Sequence, residues 1–376
     1  MTSRERLLTL IGGDIPDCVP VAPDFSNMIP VRRTGKPFWD VYLYNDPPHW
    51  QAYIDCAKHF NIDSIMDGFF RLTFPEEEPD PALQRYIVGR TPERIYVQWC
   101  RVENGKRTWN PKVDVYYVAD PPTHDVPVDR IGLPAVPERW EPIEGVKEYD
   151  KGPEGFKKAK QIMGDQGLVG TGVTSTFAVS NEELIYYYYD HPEAHERWAA
   201  ERIEQMERRF ARIMAMDVKP DFLSVGGSGT LVYQTAEMMR EIALPAVKKA
   251  IELATAAGIP THIHACGPEK ELVKIMAEET NLTIIDPLEI PPMGDCDLAE
   301  LKRLYGDRIV LKGNLHTTDV MLRGSVDDVI RASKKAIDDA AAGGRYVLST
   351  GDQCPRDTPD ENIIAMVETA RTYGRY

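Results

Sequence analysis

From about residue 160 onward, short apolar runs alternate with longer segments in which apolar residues recur at helical spacing. The short runs tend to end in Gly, Asp or His. This alternation is typical of the βαβ units of a parallel sheet. The predicted strands are 167–173, 221–227, 260–266, 282–288, 308–314 and 345–351. Helices are predicted between them, over 192–216, 235–257, 268–279 and 325–342.

Two further apolar runs, VPVAPDF at 19–25 and DSIMDGF at 63–69, bring the predicted strands to eight. Eight parallel strands, each followed by a helix, close a (β/α)8 TIM barrel. An open doubly wound sheet is the alternative. No GxGxxG motif follows the first predicted strand, so the dinucleotide-binding form of that sheet lacks its usual support. We therefore expect an α/β protein in which residues 1–376 form a single barrel domain.

Residues 70–150 interrupt the alternation. They are rich in proline and contain two alternating apolar runs, RIYVQWCRV and VDVYYVA, around the polar turn ENGKR. This pattern predicts a β-hairpin-rich insertion after the second strand. Such an insertion would project from the carboxyl end of the barrel, where loops build active sites. It could form a lid, dock a partner or only shield an apolar edge.

The composition limits the classes of partner. The chain has 44 Lys and Arg against 59 Asp and Glu, a formal net charge of −15, and 43% hydrophobic residues. This charge repels phosphate backbones and anionic lipid, and no basic cluster reverses it locally, so we expect neither nucleic acid nor a membrane surface as a partner. No apolar run approaches the ~18 residues of a membrane helix. A cytoplasmic protein is therefore expected.

The six cysteines are spread through the chain. Disulfide frameworks belong to small, cysteine-dense secreted domains, so we expect these thiols to be reduced. Cys18, Cys56 and Cys100 lie in the N-terminal part and are interpreted as structural. Cys296, in MGDCDL, is a competing candidate for a metal ligand, but the DL that follows predicts the start of a helix.

The strongest chemical signal is HIHAC at 262–266. Successive side chains of a strand point to opposite faces, so His262, His264 and Cys266 share one face. Barrel strands normally place Val, Ile or Leu at inward positions, and this run therefore indicates metal coordination. Imidazole and thiolate together favour zinc. A single buried histidine or cysteine would be an ordinary core residue, but two at i, i+2 near the end of a strand favour the metal.

Other predicted strand ends could complete a zinc site. Cys354 follows the last predicted strand in STGDQCPRDTP, and Glu289 follows the strand after HIHAC. We expect His264, Cys266 and Cys354 to be permanent ligands and Glu289 to be a displaceable fourth one. Asp352 is the substitute if Cys354 points away. Glu289 and Asp352 are thus the carboxylates expected to take part in catalysis.

Polar residues at strand ends are placed to orient a substrate, because barrel active sites lie at that end. The candidates for substrate binding are Asp24, Asn27, Asp67, Asn314 and His316. Aromatic residues of the insertion and the YYYY run at 186–189 could line a flat apolar pocket for an aryl ether. Packing in the core and on hairpin faces is the simpler explanation for most of them.

Several segments resemble the uroporphyrinogen decarboxylase superfamily. They are SRERLLTLIGGDIPDCVPV near the start, HACG after a strand, GDRIVLKGNL, and TPDENIIAMVETARTYGRY at the C-terminus. The HxCG motif resembles the zinc-dependent branch of corrinoid-linked methyltransferases, which includes methylcobalamin:coenzyme M and O-demethylase types. The resemblance implies a (β/α)8 barrel, a zinc ion and a corrinoid (cobalamin) carried by a separate corrinoid protein.

Two positions depart from the family pattern. The decarboxylases carry an Arg-Gln-Ala-Gly-Arg segment after the first strand, which grips substrate carboxylates, whereas this chain has PDFSNMIPVRR there. The methyltransferases usually place a third zinc cysteine directly after the last strand's glycine, where this chain has Asp352 and only later Cys354. The sequence therefore leaves two questions open: whether the chain recognises a porphyrinogen, and whether Cys354 or Asp352 is the third zinc ligand.

The expected activity is methyl transfer between a heteroatom and the cobalt of a corrinoid protein. Zinc would either activate a thiol as the methyl acceptor or polarise the oxygen of an aryl methyl ether. Two alternatives remain: a metal-free decarboxylase of the uroporphyrinogen type, and a noncatalytic corrinoid-binding partner. Bound zinc distinguishes the first alternative from the methyltransferase, and turnover distinguishes the second.

Overall fold

The structure is a computed structural model that describes residues 1–179 and 181–376. The described residues form an α/β protein with one parallel and one antiparallel sheet. The strands are β1 (Ser64–Met66), β2 (Leu83–Arg90), β3 (Arg94–Glu103), β4 (Lys106–Tyr117), β5 (Thr123–Pro127), β6 (Glu141–Pro142), β7 (Gly167–Gly172), β8 (Phe222–Ser224), β9 (Thr261–His264), β10 (Ile284–Asp286), β11 (Val310–Leu315) and β12 (Tyr346–Thr350).

Helices separate most of the parallel strands. The α-helices of the described residues are α1 (Ser3–Ile11), α2 (Ile29–Arg33), α3 (Phe38–Tyr42), α4 (His49–Phe60), α5 (Pro153–Met163), α6 (Glu182–Asp190), α7 (His195–Ala215), α8 (Thr230–Tyr233), α9 (Ala236–Met238), α10 (Leu244–Ala256), α11 (Lys270–Glu279), α12 (Leu298–Tyr305), α13 (Val326–Ala340) and α14 (Asp360–Thr372). No described helix combines the length and apolar character needed to cross a bilayer.

The chain divides into two compact units. One comprises Met1–Asp24, Ala57–Gly68 and Lys160–Tyr376, and is called the parallel unit below. The other comprises Phe25–Cys56 and Phe69–Ala159, and is called the antiparallel unit. That residues 1–376 form one domain stays a prediction.

The parallel unit contains a seven-stranded sheet in the order β1-β7-β8-β9-β10-β11-β12. Each strand of this sheet pairs in parallel with the next strand of the same sheet, which is the arrangement that alternating strands and helices produce. The parallel α/β sheet predicted from the sequence is thus confirmed. Buried apolar side chains from α1, from the 19–25 segment and from six of the seven strands pack into one cluster: Leu7, Leu10, Ala22, Ile65, Leu168, Phe222, Ile284, Val310 and Val347.

The first predicted strand, 19–25, is not a regular strand, and the complete eight-stranded barrel is not confirmed. Val21 forms one isolated parallel bridge with Leu348 of β12. Its carbonyl oxygen accepts a hydrogen bond from Asp63 N at 2.8 Å, next to β1. Pro20 and Pro23 flank Val21 and have no N–H to donate, so a longer hydrogen-bonded ladder cannot form there.

The other seven predicted strands each overlap an observed one, but the observed strands are shorter than the predicted segments. The predicted segment 260–266, for example, gives β9 of only four residues, Thr261–His264. The residues that follow the ladder form the loops at the carboxyl edge of the sheet. Among the predicted helices, 235–257 is interrupted: α9 leads into a π-helix at Met239–Ala243 before α10.

The antiparallel unit contains a five-stranded sheet in the order β5-β4-β3-β2-β6. Strands β3 and β4 form the hairpin predicted around ENGKR, and its turn residues Asn104 and Gly105 have φ values of 50° and 77°. Positive φ at both central residues is the conformation of a type I′ turn, which Asn-Gly favours. The hairpin prediction is therefore confirmed.

Candidate metal site

Strand β9 positions two histidines in the parallel unit. His262 and His264 are separated by one residue and share one face of the strand. The strand ends at His264, and Cys266 follows in the loop before α11. Gly267 has a φ of 92°, a conformation that favours glycine and lets the chain turn directly after the thiol.

A buried polar network supports these imidazoles from the neighbouring strands. Asp286, at the end of β10, pairs in register with His264. Its Oδ1 lies 3.2 Å from Nε2 of His262 and 3.1 Å from Nδ1 of His264. The Lys312 ammonium, on β11, donates to the other oxygen, Oδ2. On the far side of His262, Nδ1 lies 3.0 Å from Oδ2 of Asp67.

Two sets of side chains bring potential ligand atoms within 4.8 Å of one another. The sets are Asp24, His264 and Asp352, and Cys266, Glu289 and Asp352. Within the first set, His264 Nδ1 lies 3.9 Å from Asp24 Oδ2, and His264 Nε2 lies 3.7 Å from Asp352 Oδ1. Imidazole nitrogen, thiolate sulfur and carboxylate oxygen are the three donor types that zinc accepts. The first set supplies imidazole and carboxylate and the second supplies thiolate and carboxylate, so the two sets, which share Asp352, together offer the donor types that fit a zinc ion.

The two carboxylates of the second set are fixed by backbone groups. Glu289 is buried, and its Oε2 accepts a hydrogen bond from Gly267 N. Asp352 has a φ of 102°, which is rare for a residue other than glycine. Gln353 N donates to Asp352 Oδ1 at 2.8 Å, and the Thr350 hydroxyl donates to the Asp352 carbonyl at 2.7 Å. Unusual backbone of this kind is concentrated at functional sites.

Cys354 belongs to neither donor set. It is fully buried, and its backbone N donates to the Asp24 carbonyl at 2.7 Å. Its predicted role as a zinc ligand stays a prediction. Asp352, the substitute named from the sequence, is the residue that the two sets share.

The electrostatics of the site favour a positive charge at His264. Burial lowers the pKa of His264, but the hydrogen bond with Cys266 and the carboxylates of Asp24 and Asp352 outweigh burial and raise it to about 9. The pKa of His262 is lowered, because burial outweighs the opposing effect of Asp67. Carboxylates that stabilise an imidazolium at this position would also stabilise a metal cation.

The predicted substrate-binding residues have different surroundings. Asp67 contacts His262, as described above. The Asn314 amide donates to the Leu288 carbonyl at 2.9 Å. His316 Nδ1 accepts from the backbone N–H groups of Thr318 and Asp319 and so caps the helical turn that follows.

Asp24 lies in a donor set, whereas Asn27 belongs to the antiparallel unit, where its carbonyl accepts from the Tyr42 hydroxyl at 2.7 Å. The substrate-binding roles of all these residues stay predictions. No disulfide forms among the cysteines of the described residues. Cys296 is buried, and burial raises the pKa of its thiol.

Several polar residues of the site were not predicted from the sequence. Ser228 Oγ lies 2.8 Å from Cys266 Sγ, and Asp286 and Lys312 form the buried pair beside His264. The sequence did offer a signal for this pair, because Asp286 and Lys312 are charged residues within mostly apolar predicted strands, LTIIDPL and RIVLKGN. Ser228 lies in GGSG, which carries no comparable signal.

The segment that carries most of this site matches a known family. Residues 227–373 match the family model for uroporphyrinogen decarboxylase (URO-D). This segment includes every residue of the two donor sets except Asp24. The resemblance inferred from the sequence is thus confirmed, and residues 227–373 are a URO-D family domain.

The particular relatives are methyltransferases. Methylcobamide:CoM methyltransferase MtbA of Methanosarcina mazei is 29% identical over 140 residues, which are 36% of this chain and 37% of that protein. The MtbA protein of Methanosarcina acetivorans is 28% identical over 137 residues, with the same shares. The matched region therefore spans little more than a third of these relatives. A solved structure, a methyltransferase from Methanosarcina mazei, covers 99% of both chains with a TM-score of 0.56 at 17% identity, and shows that the fold is shared.

Proposed function

We propose that the chain is a zinc-dependent methyltransferase that moves a methyl group between a heteroatom and the cobalt of a corrinoid protein. The heteroatom would be the oxygen of an aryl methyl ether or the sulfur of a thiol. One observation carries this proposal. Two donor sets that share Asp352 bring His264, Cys266 and Glu289 near it at the ends of strands, and the chain is similar over 140 residues to a methylcobamide:CoM methyltransferase.

His264, Cys266 and Asp352 are the residues that would hold the zinc ion, with Glu289 as a displaceable fourth ligand. One neutral imidazole, one thiolate and one carboxylate balance the charge of Zn²⁺, as would the predicted set with Cys354 in place of Asp352. A bound zinc ion supplies Lewis acidity to a substrate oxygen or thiol. Glu289 is already held by Gly267 N, so its carboxylate can leave the metal position without losing every hydrogen bond.

The protein residues around the donors would orient them. Nδ1 of His264 faces Asp286, which leaves Nε2 on the side of Asp352. The Ser228 hydroxyl can donate to the Cys266 sulfur and stabilise its thiolate form. When a thiol substrate displaces Glu289 from the metal, the released Glu289 carboxylate would accept the thiol proton, while Asp352 would take part in catalysis as a ligand. In the metal-free chain, burial is the main cause that raises the pKa of Asp352, with Asp24 adding to it.

Zinc content and methyl transfer test the proposal together. The purified full chain should contain about one zinc ion, which metal analysis after dialysis measures. Cob(I)alamin with a panel of methoxylated aromatics, and methylcobalamin with a panel of small thiols, should show methyl transfer by the change in cobalamin absorbance. A chain that holds no zinc and is unaffected by a chelator would contradict the proposal.

The URO-D family match gives a specific reason to keep the decarboxylase as the second candidate. That activity would consume uroporphyrinogen without metal and would be insensitive to chelation. Binding of a corrinoid without any methyl transfer would instead identify a noncatalytic corrinoid-binding protein. Both outcomes are read in the same assays.

A further inference from the structure

We propose that Lys312 is a positioning residue of the metal site, which acts on His264 through Asp286. This inference rests on the proposed function, because it treats His264 as a metal ligand. Lys312 would hold one oxygen of the Asp286 carboxylate so that the other stays directed at the imidazole. We assign Lys312 no role in binding the substrate.

The strand register places these residues in one row. Asp286 pairs with His264 across β9 and β10. Across β10 and β11, Ile285 pairs with Leu311, and Asp286 and Lys312 are the next residues along. Parallel pairing turns side chains at the same level to the same face. A cation, an anion and an imidazole therefore lie side by side on three consecutive strands.

The two oxygens of Asp286 have separate partners. Oδ2 accepts from the Lys312 ammonium, and Oδ1 lies within hydrogen-bond distance of both His262 and His264. An ionised carboxylate only accepts hydrogen bonds, so Nδ1 of His264 must carry the hydrogen in that contact. Nε2 is then the nitrogen available to a metal. In metal sites, a carboxylate on the distal ring nitrogen sets the orientation and basicity of a histidine ligand.

Without Lys312, Oδ2 of the Asp286 carboxylate would lose its cationic partner, and only Oδ1 would still be held. The Asp286 side chain is completely buried, and the Lys312 side chain is 8% exposed. Replacement of a buried ion pair by apolar residues is often neutral or stabilising, so stability alone is a weak reason for the lysine. A more specific reason for a lysine at position 312 is its contact with Asp286, whose carboxylate faces His264. Asp67 restrains His262 from the opposite side of the imidazole. His262 in turn contacts Oδ1 of Asp286, the oxygen that His262 and His264 share, and so helps to hold that oxygen in place.

Zinc affinity of the full-length Lys312→Met variant tests this role. We expect an affinity about 10- to 100-fold below that of the wild type, measured by competition with a chromophoric zinc chelator. The matched control is Lys160→Met, because the Lys160 ammonium also pairs with a buried carboxylate, Asp221, at 2.9 Å, but at the amino end of β8. The control should bind zinc as the wild type does. A folded Lys312→Met variant with wild-type zinc affinity would overturn the proposal.

A double-mutant cycle separates positioning from a general loss of structure. If Lys312 acts through Asp286, Lys312→Met should have no further effect on zinc affinity in an Asp286→Asn background. Asp286→Asn also removes the buried negative charge. The Asp286→Asn variant and the double variant can therefore be compared even if Lys312→Met alone fails to fold. An additional loss in the double variant would overturn the proposal. A wild-type chain that binds no zinc would instead contradict the proposed function itself.

Discussion

Ser228 Oγ lies 2.8 Å from Cys266 Sγ, although the two residues are 38 positions apart in the chain. Ser228 follows β8 and Cys266 follows β9, and these two strands pair in parallel. The carboxyl ends of both strands therefore reach the same edge of the sheet. A hydroxyl at this distance stabilises a thiolate, so the candidate metal donor is supported by a residue that is not itself a ligand.

Ser228→Ala should weaken zinc binding by up to about 10-fold, because the Cys266 sulfur loses its hydrogen-bond partner. The measurement is chelator competition on the folded variant. Ser333→Ala is the control, since the buried Ser333 hydroxyl has no hydrogen-bond partner among the described residues and lies on α13. Equal zinc affinity in Ser228→Ala and wild type would show that the contact has no role in metal binding.

Asp352→Asn and Cys354→Ser should identify the third ligand. Loss of a residue that only hydrogen-bonds to a metal ligand typically lowers metal affinity by about 10- to 100-fold. We expect Asp352→Asn to lower zinc affinity by more than that, because Asp352 belongs to both donor sets. Cys354→Ser should retain most of the affinity. The reverse order of the two variants would establish the thiolate predicted from the sequence.

Cys266→Ala should abolish zinc binding and methyl transfer, and the metal-free variant should melt at about the temperature of the metal-free wild type, because the packing of the sheet does not depend on this thiol. His262→Ala should keep its zinc, about 10- to 100-fold more weakly, since His262 belongs to neither donor set but shares Asp286 with His264. It should also be less stable by about 1–3 kcal/mol, because Asp67 loses a buried partner. Metal analysis and thermal unfolding give both readouts. Equal zinc loss in the two variants would make His262 a ligand.

Glu269 should make the stability of the metal-free protein depend on pH. Burial raises the pKa of Glu269 from 4.5 to about 8. Its Oε2 accepts from Leu288 N, and its Oε1 has no hydrogen-bond partner among the described residues. Because the folded state binds this proton more tightly than the unfolded state, the stabilisation is complete below the unfolded pKa and is lost as the pH rises through about 8.

Glu269→Gln keeps the shape of the side chain without its ionisation. The variant should be more stable than the wild type by a few kcal/mol at about pH 9 and similar to it at about pH 4. Urea unfolding at the two pH values measures the difference. An equally steep loss of stability in the variant would assign the pH dependence to another group.

Local patterns predicted much of this protein. The alternation of apolar runs and helical segments predicted six strands of the parallel sheet, and the apolar run at 63–69 predicted the seventh. The two-residue period of a strand placed His262 and His264 on one face, and this required no knowledge of other strands. The hairpin around Asn104 and Gly105 was equally local, because Asn-Gly determines its own turn.

Segment 19–25 shows where a local pattern failed. Its apolar residues satisfy the pattern of a strand, but Pro20 and Pro23 prevent a continuous ladder. The position of Asp352 could not be predicted either, because it depends on a backbone conformation that no local pattern indicates. Its positive φ is maintained by hydrogen bonds with Thr350 and Gln353, and no sequence pattern indicates that conformation.

The chain's own sequence therefore determined the sheet and two candidate donors, His264 and Cys266, because strand periodicity and side-chain chemistry act over a few residues. Only the tertiary structure decided that Asp24 and Asp352 approach His264, and that Lys312 lies beside Asp286. Those contacts join residues far apart in the chain. They depend on the register between parallel strands and on the loop conformations that follow them, which packing of the whole unit fixes.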